Sequence, residues 1–384
     1  MRYFLVSLLL CCKMVLAQEA LHNFGNLQMH NGSQMGFHTN LINDGMFNQN
    51  LGLVGFYHPT ETLSISGTEI PRFYEAEIAV DNHLQLNINT EIRSTLNYII
   101  GDVITPRDNP DISLDFLQDS EYFSEDNIRN TDGYTAINGI AGFRFPIGHD
   151  NKLRPLILPN RSNTATFKAA YFNEDPNFPS TFSPFDTSES ESIISMVSIY
   201  EFWDFNGSEA TQITLTWDNE SYIGDLVSNL SNLRVVGWSR SENKWKNLGN
   251  NNVTGSIAEG TITSSPFVPD NYEAITFGSY NEDSFTLGES GVVIYNSISP
   301  NGDGKNDVFY IDGIEEQKNI LKIYNRWGLL VYETVNYKNN WDGTSSGRAT
   351  VDKGKKLPTG TYFYILDFPE WNKRLSSWLY IVSD

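Results

Sequence analysis

Four oxygen-bearing side chains fall within seven residues in the loop Asn301-Gly302-Asp303-Gly304-Lys305-Asn306-Asp307. Asn301, Asp303, Asn306 and Asp307 are hard-oxygen donors at a density that suits a structural Ca²⁺. A second reading is a glycine-rich turn whose Asn and Asp side chains bond their own backbone; Lys305 stands where a further oxygen ligand would be wanted, and no bidentate Glu follows. His22, His30 and His38 are spaced eight residues apart, a step that can bring side chains together in a coiled β-structure. With no His-Glu-x-x-His or His-x-His pattern, they read as ordinary turn or surface histidines. Trp203, Trp217, Trp238 and Trp245 would form a sugar-stacking platform if their indoles lay exposed in a line. Trp217 and Trp238 sit inside alternating apolar runs and are expected in the core, whereas Trp245, between Lys244 and Lys246, is expected at the surface.

No phosphate-binding loop, dinucleotide fingerprint or nucleophile elbow is present. Among 47 acidic residues, carboxylate pairs arise by chance, so no catalytic or cofactor-binding residue is assigned. A formal charge of −21 disfavours nucleic acid and anionic lipid surfaces as partners.

The elements that must position these groups read as all-β. Short alternating runs bounded by Gly, Asn, Asp and Pro recur throughout, and long stretches of helical period are lacking. Aromatic residues at 13% and charged residues at 19% describe a folded chain rather than a disordered stalk. Residues 18–110 carry runs such as Leu63-Ser64-Ile65-Ser66 and Leu84-Gln85-Leu86-Asn87-Ile88 between Asn- and Gly-rich turns, the pattern of a short β-solenoid or a β-sandwich. Residues 111–285 read as one or two β-sandwich units. Within them Glu174 to Ser192, with three prolines and a Ser/Glu run, has the composition of a flexible connection. A hinge from Asn281 to Ser290 precedes a terminal domain at 291–384.

The N-terminus has an export pattern. Arg2 precedes the apolar run Tyr3 to Cys12, and Val15-Leu16-Ala17 sets small or short side chains before a cleavage point between Ala17 and Gln18. A signal peptide over residues 1–17 would remove both cysteines, Cys11 and Cys12, leaving a mature chain without disulfides or thiolate ligands. No later apolar run reaches the ~20 residues of a membrane-spanning helix.

The C-terminal quarter is the most specific part. Pro300, Asn301, Gly302, Asp303, Gly304, Asn306 and Asp307 are followed by Asn325-Arg326-Trp327-Gly328, then Trp341-Asp342-Gly343, then Gly360 and Tyr362, then Trp378 and Tyr380. Leu321-Lys322-Ile323-Tyr324 and Leu329-Leu330-Val331-Tyr332 flank the second motif as a hairpin, and the density of strands fits an immunoglobulin-like sandwich. The ordered set resembles the gliding-motility-associated C-terminal domain, the type B sorting domain of the Bacteroidota type IX secretion system. Ser377 stands where that family has Gly before Trp-Leu-Tyr. The resemblance implies export across both membranes to the cell surface or the medium, with the secretion translocon and small outer-membrane barrel proteins as partners. Two functions fit: a non-catalytic surface protein connected with gliding, adhesion or the secretion apparatus, or a secreted glycan-binding or glycan-degrading protein that uses the same export tag.

Overall fold

The computed structural model of the chain describes residues 20–162, 165–280, 284–286, 292–346, 354–369 and 373–383. The signal segment with Ala17 and Gln18, and most of the expected hinge, lie outside the described residues. The chain divides into two compact units, one formed by the residues up to Glu191 with Met196–Ser279, the other by Ser192–Ser195 with the chain from Tyr280 onward.

The first unit begins as a two-sheet solenoid, which decides between the two architectures open for residues 18–110. Successive strands alternate between sheets. Ala20–Asn23, Asn40–Asn43, Leu63–Gly67, Leu84–Leu86, Val103–Ile104 and Thr131–Asp132 form one parallel ladder. Gln34–Phe37, Leu53–His58, Arg72–Val80, Thr90–Ile100, Leu114–Leu117 and Thr135–Asn138 form the second. Each pass through both sheets advances the chain by one rung, about 4.8 Å. The rungs differ in length because their corners do: Leu84 pairs with Val103, 19 residues on, but Val103 pairs with Thr131, 28 residues on. The second ladder continues past residue 110 without interruption, so one sheet joins the N-terminal and middle segments.

Inward residues hold the coils together. Phe37 stacks on Phe56 at 5.0 Å, Phe47 meets Phe73 edge-on at 5.5 Å, and farther along Phe116, Phe143, Phe145 and Phe205 follow one another at 5.0 to 6.2 Å. That chain of rings leads from the solenoid into a sandwich. There the second sheet continues with the antiparallel strands Phe167–Phe172, Phe202–Asn206, Tyr272–Tyr280, Leu233–Ser239 and Lys244–Asn247. A five-stranded sheet, Phe143–Phe145, Leu156–Leu158, Thr214–Trp217, Gly260–Thr263 and Asn252–Gly255, packs on it through contacts such as Trp217 with Phe277 at 6.0 Å.

Two expectations for this unit are corrected. Trp245 is 0% exposed, its ring 5.7 Å from Trp238 and 6.4 Å from Phe185. Strand alternation is the reason: in Lys244–Asn247 the flanking lysines face out, Lys246 to Glu191 and Glu242 and Lys244 to Glu242, which turns the indole in. The Pro-rich stretch 174–192 is docked rather than a flexible connection. Phe182 and Phe185 pack on Phe202, and Asn177 bonds to Asp175 and Thr187.

The second unit is a smaller sandwich. Ser284–Thr286, Val293–Tyr295 and Ile311–Asp312 make one sheet; Ser297–Ile298, Lys373–Ile381, Gly360–Phe368, Ile320–Tyr324 and Leu330–Val335, in that spatial order, make the other. Ile294, Ile298, Phe309, Leu321, Ile323, Tyr364, Leu366, Leu379 and Ile381 fill its separate core.

Candidate functional site

Registers in the terminal sandwich gather its sequence motifs at one end. Ile298 pairs with Ile381, which pairs with Gly360, and Tyr324 pairs with Phe363. The loop after Ile298, the turn after Tyr324 and the strand start at Gly360 therefore share that end. Gly343 joins them: a β-carbon there would lie 3.6 Å from both Pro300 Cγ and Ile298 Cδ1. Lys356 Nζ donates to the Pro300 carbonyl at 2.6 Å.

Each motif residue has a local mechanical task. Asp307 accepts the Gly302 amide at 2.6 Å and the Gly304 amide at 2.8 Å, while Asp303 accepts the Lys305 amide and Asn301 the Asp303 amide. Gly302, Gly304 and Asn306 take positive φ, the left-handed conformation that favours Gly and Asn. The loop thus forms the backbone-bonded turn. Among the described residues, no group of three or more His, Cys, Asp or Glu side chains is placed to hold a metal.

In the second motif Asn325 Oδ1 accepts the amides of Trp327 and Leu329, both at 3.0 Å, and Gly328 supplies positive φ. Arg326 lies over the Trp327 ring at 4.1 Å, on an indole that is 74% exposed. Trp341 is the inward counterpart: buried, with Nε1 donating to the Thr344 carbonyl. Asp342 caps the Thr344 amide, and hydrogen bonding from Thr344 holds its carboxyl below the usual range. Tyr362 is buried and donates to the Pro358 carbonyl at 3.0 Å.

The outer face of the five-stranded sheet is aromatic. Along Gly360–Phe368, Tyr362, Tyr364 and Leu366 point into the core, which turns Phe363 outward. Phe363 is flanked on one side by Tyr324 and on the other by Trp378. This rung lines a 740 Å³ concavity completed by Ile365, Asn325 and Gly328. Exposed rings in that array offer apolar area to a partner.

Residues 292–381 match the family model described as the CHU_C type IX secretion signal domain. The chain carries a type IX secretion signal. It is accordingly a cargo of that pathway, directed across the outer membrane to the cell surface or the medium, and it engages the secretion machinery through this signal. Neither the curated proteins nor the solved structures give a match to the chain. No helix among the described residues is long and apolar enough to cross a membrane.

Outside the signal domain, the structure separates the three evenly spaced histidines. His22 Nε2 lies 2.6 Å from Asp44, His30 is exposed, and His38 rests 5.6 Å from the Tyr57 ring. It brings together a charge cluster around the buried Arg154 and Glu201 that had no signal in the sequence. Arg154 donates from Nε to Glu201 at 3.0 Å and from both terminal nitrogens to Asp218 at 2.9 and 2.6 Å, across separations of 47 and 64 residues. Tyr171 Oη donates to the same Glu201 oxygen at 2.6 Å. Burial pulls the Arg154 pKa down, but the Asp218 bonds and the Glu201 charge outweigh it and the net shift is upward. Arg154 and Glu201 are buried while the Asp218 side chain is 47% exposed, and with the guanidinium fully paired the cluster ties the end of the solenoid to the sandwich.

Proposed function

We propose that the protein is a non-catalytic binding protein displayed at the cell surface, with the signal domain as its export and docking element and the solenoid-sandwich body as the presented module. The aromatic rung Tyr324, Phe363 and Trp378 carries this reading. It leaves apolar rings in solvent on a sheet whose other face already has a complete core, an arrangement that suits contact with an outer-membrane barrel partner of the machinery. On this reading the body contributes adhesion, and the charge cluster around Arg154 serves its structure.

Deleting residues 292–384 from the tagged protein in its native host should leave the body in the periplasm. In the full chain, Phe363→Ser with Trp378→Ser should abolish surface display and stoichiometric recovery with an outer-membrane protein in mild detergent, while circular dichroism remains that of the folded parent. Normal display of either variant would sink the proposal. Recovery of the parent as free protein in the medium would favour a soluble secreted protein over a resident surface component.

A further inference from the structure

The outer face of the second solenoid sheet has two grooves, each at a β-bulge in the pairing of Arg72–Val80 with Thr90–Ile100. One register shift falls between Phe73 and Glu75, whose partners are Ile92 and Thr95; the other falls between Ile78 and Ala79, whose partners are Tyr98 and Ile100. Bulges re-aim side chains and disturb the flat outer surface. Arg72, Tyr74, Arg93, Ser94, Gln118 and Asp119 line a groove of 670 Å³ at the first. Tyr57, with His38, Ala79 and Ile100, lines a groove of 460 Å³ at the second.

Tyr57 is laid flat on the sheet. A β-carbon at Gly55 would fall 2.0 to 2.2 Å from its Oη, Cζ and Cε2, and one at Gly36, the neighbouring rung, 3.4 Å from the ring. Two adjacent glycines therefore make the bed in which the ring lies, and its Oη is pinned by donation to Glu77 at 2.8 Å. A ring fixed in this way presents an apolar face with little rotamer entropy left to lose on binding.

The first groove supplies charge. Arg93 is exposed and has no hydrogen-bond or ion-pair partner among the described residues; Arg72 spends only Nε, on Glu91 at 2.5 Å. Two guanidinium groups open on this groove beside Asp119; Glu91 offsets Arg72, which leaves Arg93 as the cation without an ion-pair partner there among the described residues, and a planar guanidinium fork matches a carboxylate. Asp119 and Gln118 on the same groove suit hydroxyl groups as acceptors and donors. From Tyr74 to Ala79, the neighbour of Tyr57, the strand covers about 17 Å. Glu75 and Glu77 line that path and disfavour a negative charge at every unit.

We propose that this face binds an extended glycan whose uronic acid units are separated by neutral sugars, with a carboxylate on Arg93 and Arg72 and a neutral ring stacked on Tyr57. The inference rests on the reading of the body as the presented binding module. It is tested on the purified full chain by calorimetry with hyaluronan and glucuronoxylan oligosaccharides, against polygalacturonate and a neutral β-glucan. The expected result is binding to an acidic heteroglycan that weakens with salt. Arg93→Ala should lower affinity at least tenfold and flatten the salt dependence; Tyr57→Ala should lower it similarly while the salt dependence remains. Binding to neither heteroglycan, equal or tighter binding to polygalacturonate or to the neutral glucan, or unchanged affinity in both variants with parental melting temperatures, would overturn the proposal. Because the measurement needs no secretion, a failure of the export reading leaves its outcome untouched.

Discussion

In the body, Trp203, Trp217, Trp238 and Trp245 are all buried, whereas the signal domain buries Trp341 and leaves Trp327 and Trp378 exposed. Both regions are built from strands whose side chains alternate between a core and an outer face. They differ in what the outer face is given. On the solenoid it carries polar side chains such as Glu75, Glu77 and Asn97, with scattered rings such as Tyr57 on its glycines; on the signal domain it carries Phe363, Trp378 and Tyr380 in neighbouring strands. Adding the same residue type to a strand therefore stabilises the body in one setting and makes a contact surface in the other.

The largest effect that sharpens this contrast is expected inside the body. Arg154→Ala leaves Glu201 and Asp218 without their cation and should cost about 3–5 kcal/mol, read as an earlier urea transition of the body with the signal domain's transition unmoved. An unchanged body transition would mean that the cluster is not what ties solenoid to sandwich. Trp245→Ala should cost a comparable ~3–5 kcal/mol by opening a cavity. Trp327→Ala should stay within ~0.5 kcal/mol because the indole is mostly in water. Equal losses for the two tryptophans would erase the distinction between the regions.

The two regions also differ in pH response. Burial pushes Asp204, held by Tyr134 Oη and Asn206 Nδ2, up to about 6. Asp102 and Asp115 move to about 6 for the same reason. A carboxyl raised in the folded state contributes stability that is complete below its ordinary value of 3.8 and is lost as pH rises through about 6. The melting temperature of the parent relative to Asp204→Asn should therefore fall between pH 4 and pH 7. Asp342 in the signal domain is lowered, so its contribution has the opposite sign: present above 3.8 and lost on acidification. A flat parent-minus-variant difference for Asp204→Asn would show that its proton is not retained in the folded body.

Legibility followed the range of the interactions. The turn at Asn325 to Gly328 was readable because an Asn acceptor, a left-handed Gly and two flanking strands act within a few residues. The all-β class was readable from alternation, and the export role from ordered local motifs, which the family match bears out. Alternation also contained the answer for Trp245, but the flanking lysines suggested exposure when they were only its outward neighbours. The packed stretch 174–192 looked like a connection because composition reports prolines and serines, not the hydrophobic wall that receives Phe185.

What the sequence by itself determined is therefore local: strand periodicity, glycine and asparagine turns, and the signal domain's motifs, each fixed by backbone geometry within a few residues. Only the tertiary structure decided the solenoid, since rungs of unequal length hide their period until the ladder closes. It also decided the meeting of Arg154 with Glu201 and Asp218, and the bed of Gly36 and Gly55 beneath Tyr57. Those contacts join residues on different strands, and their partners are chosen by sheet register and a shared core rather than by any neighbour along the chain.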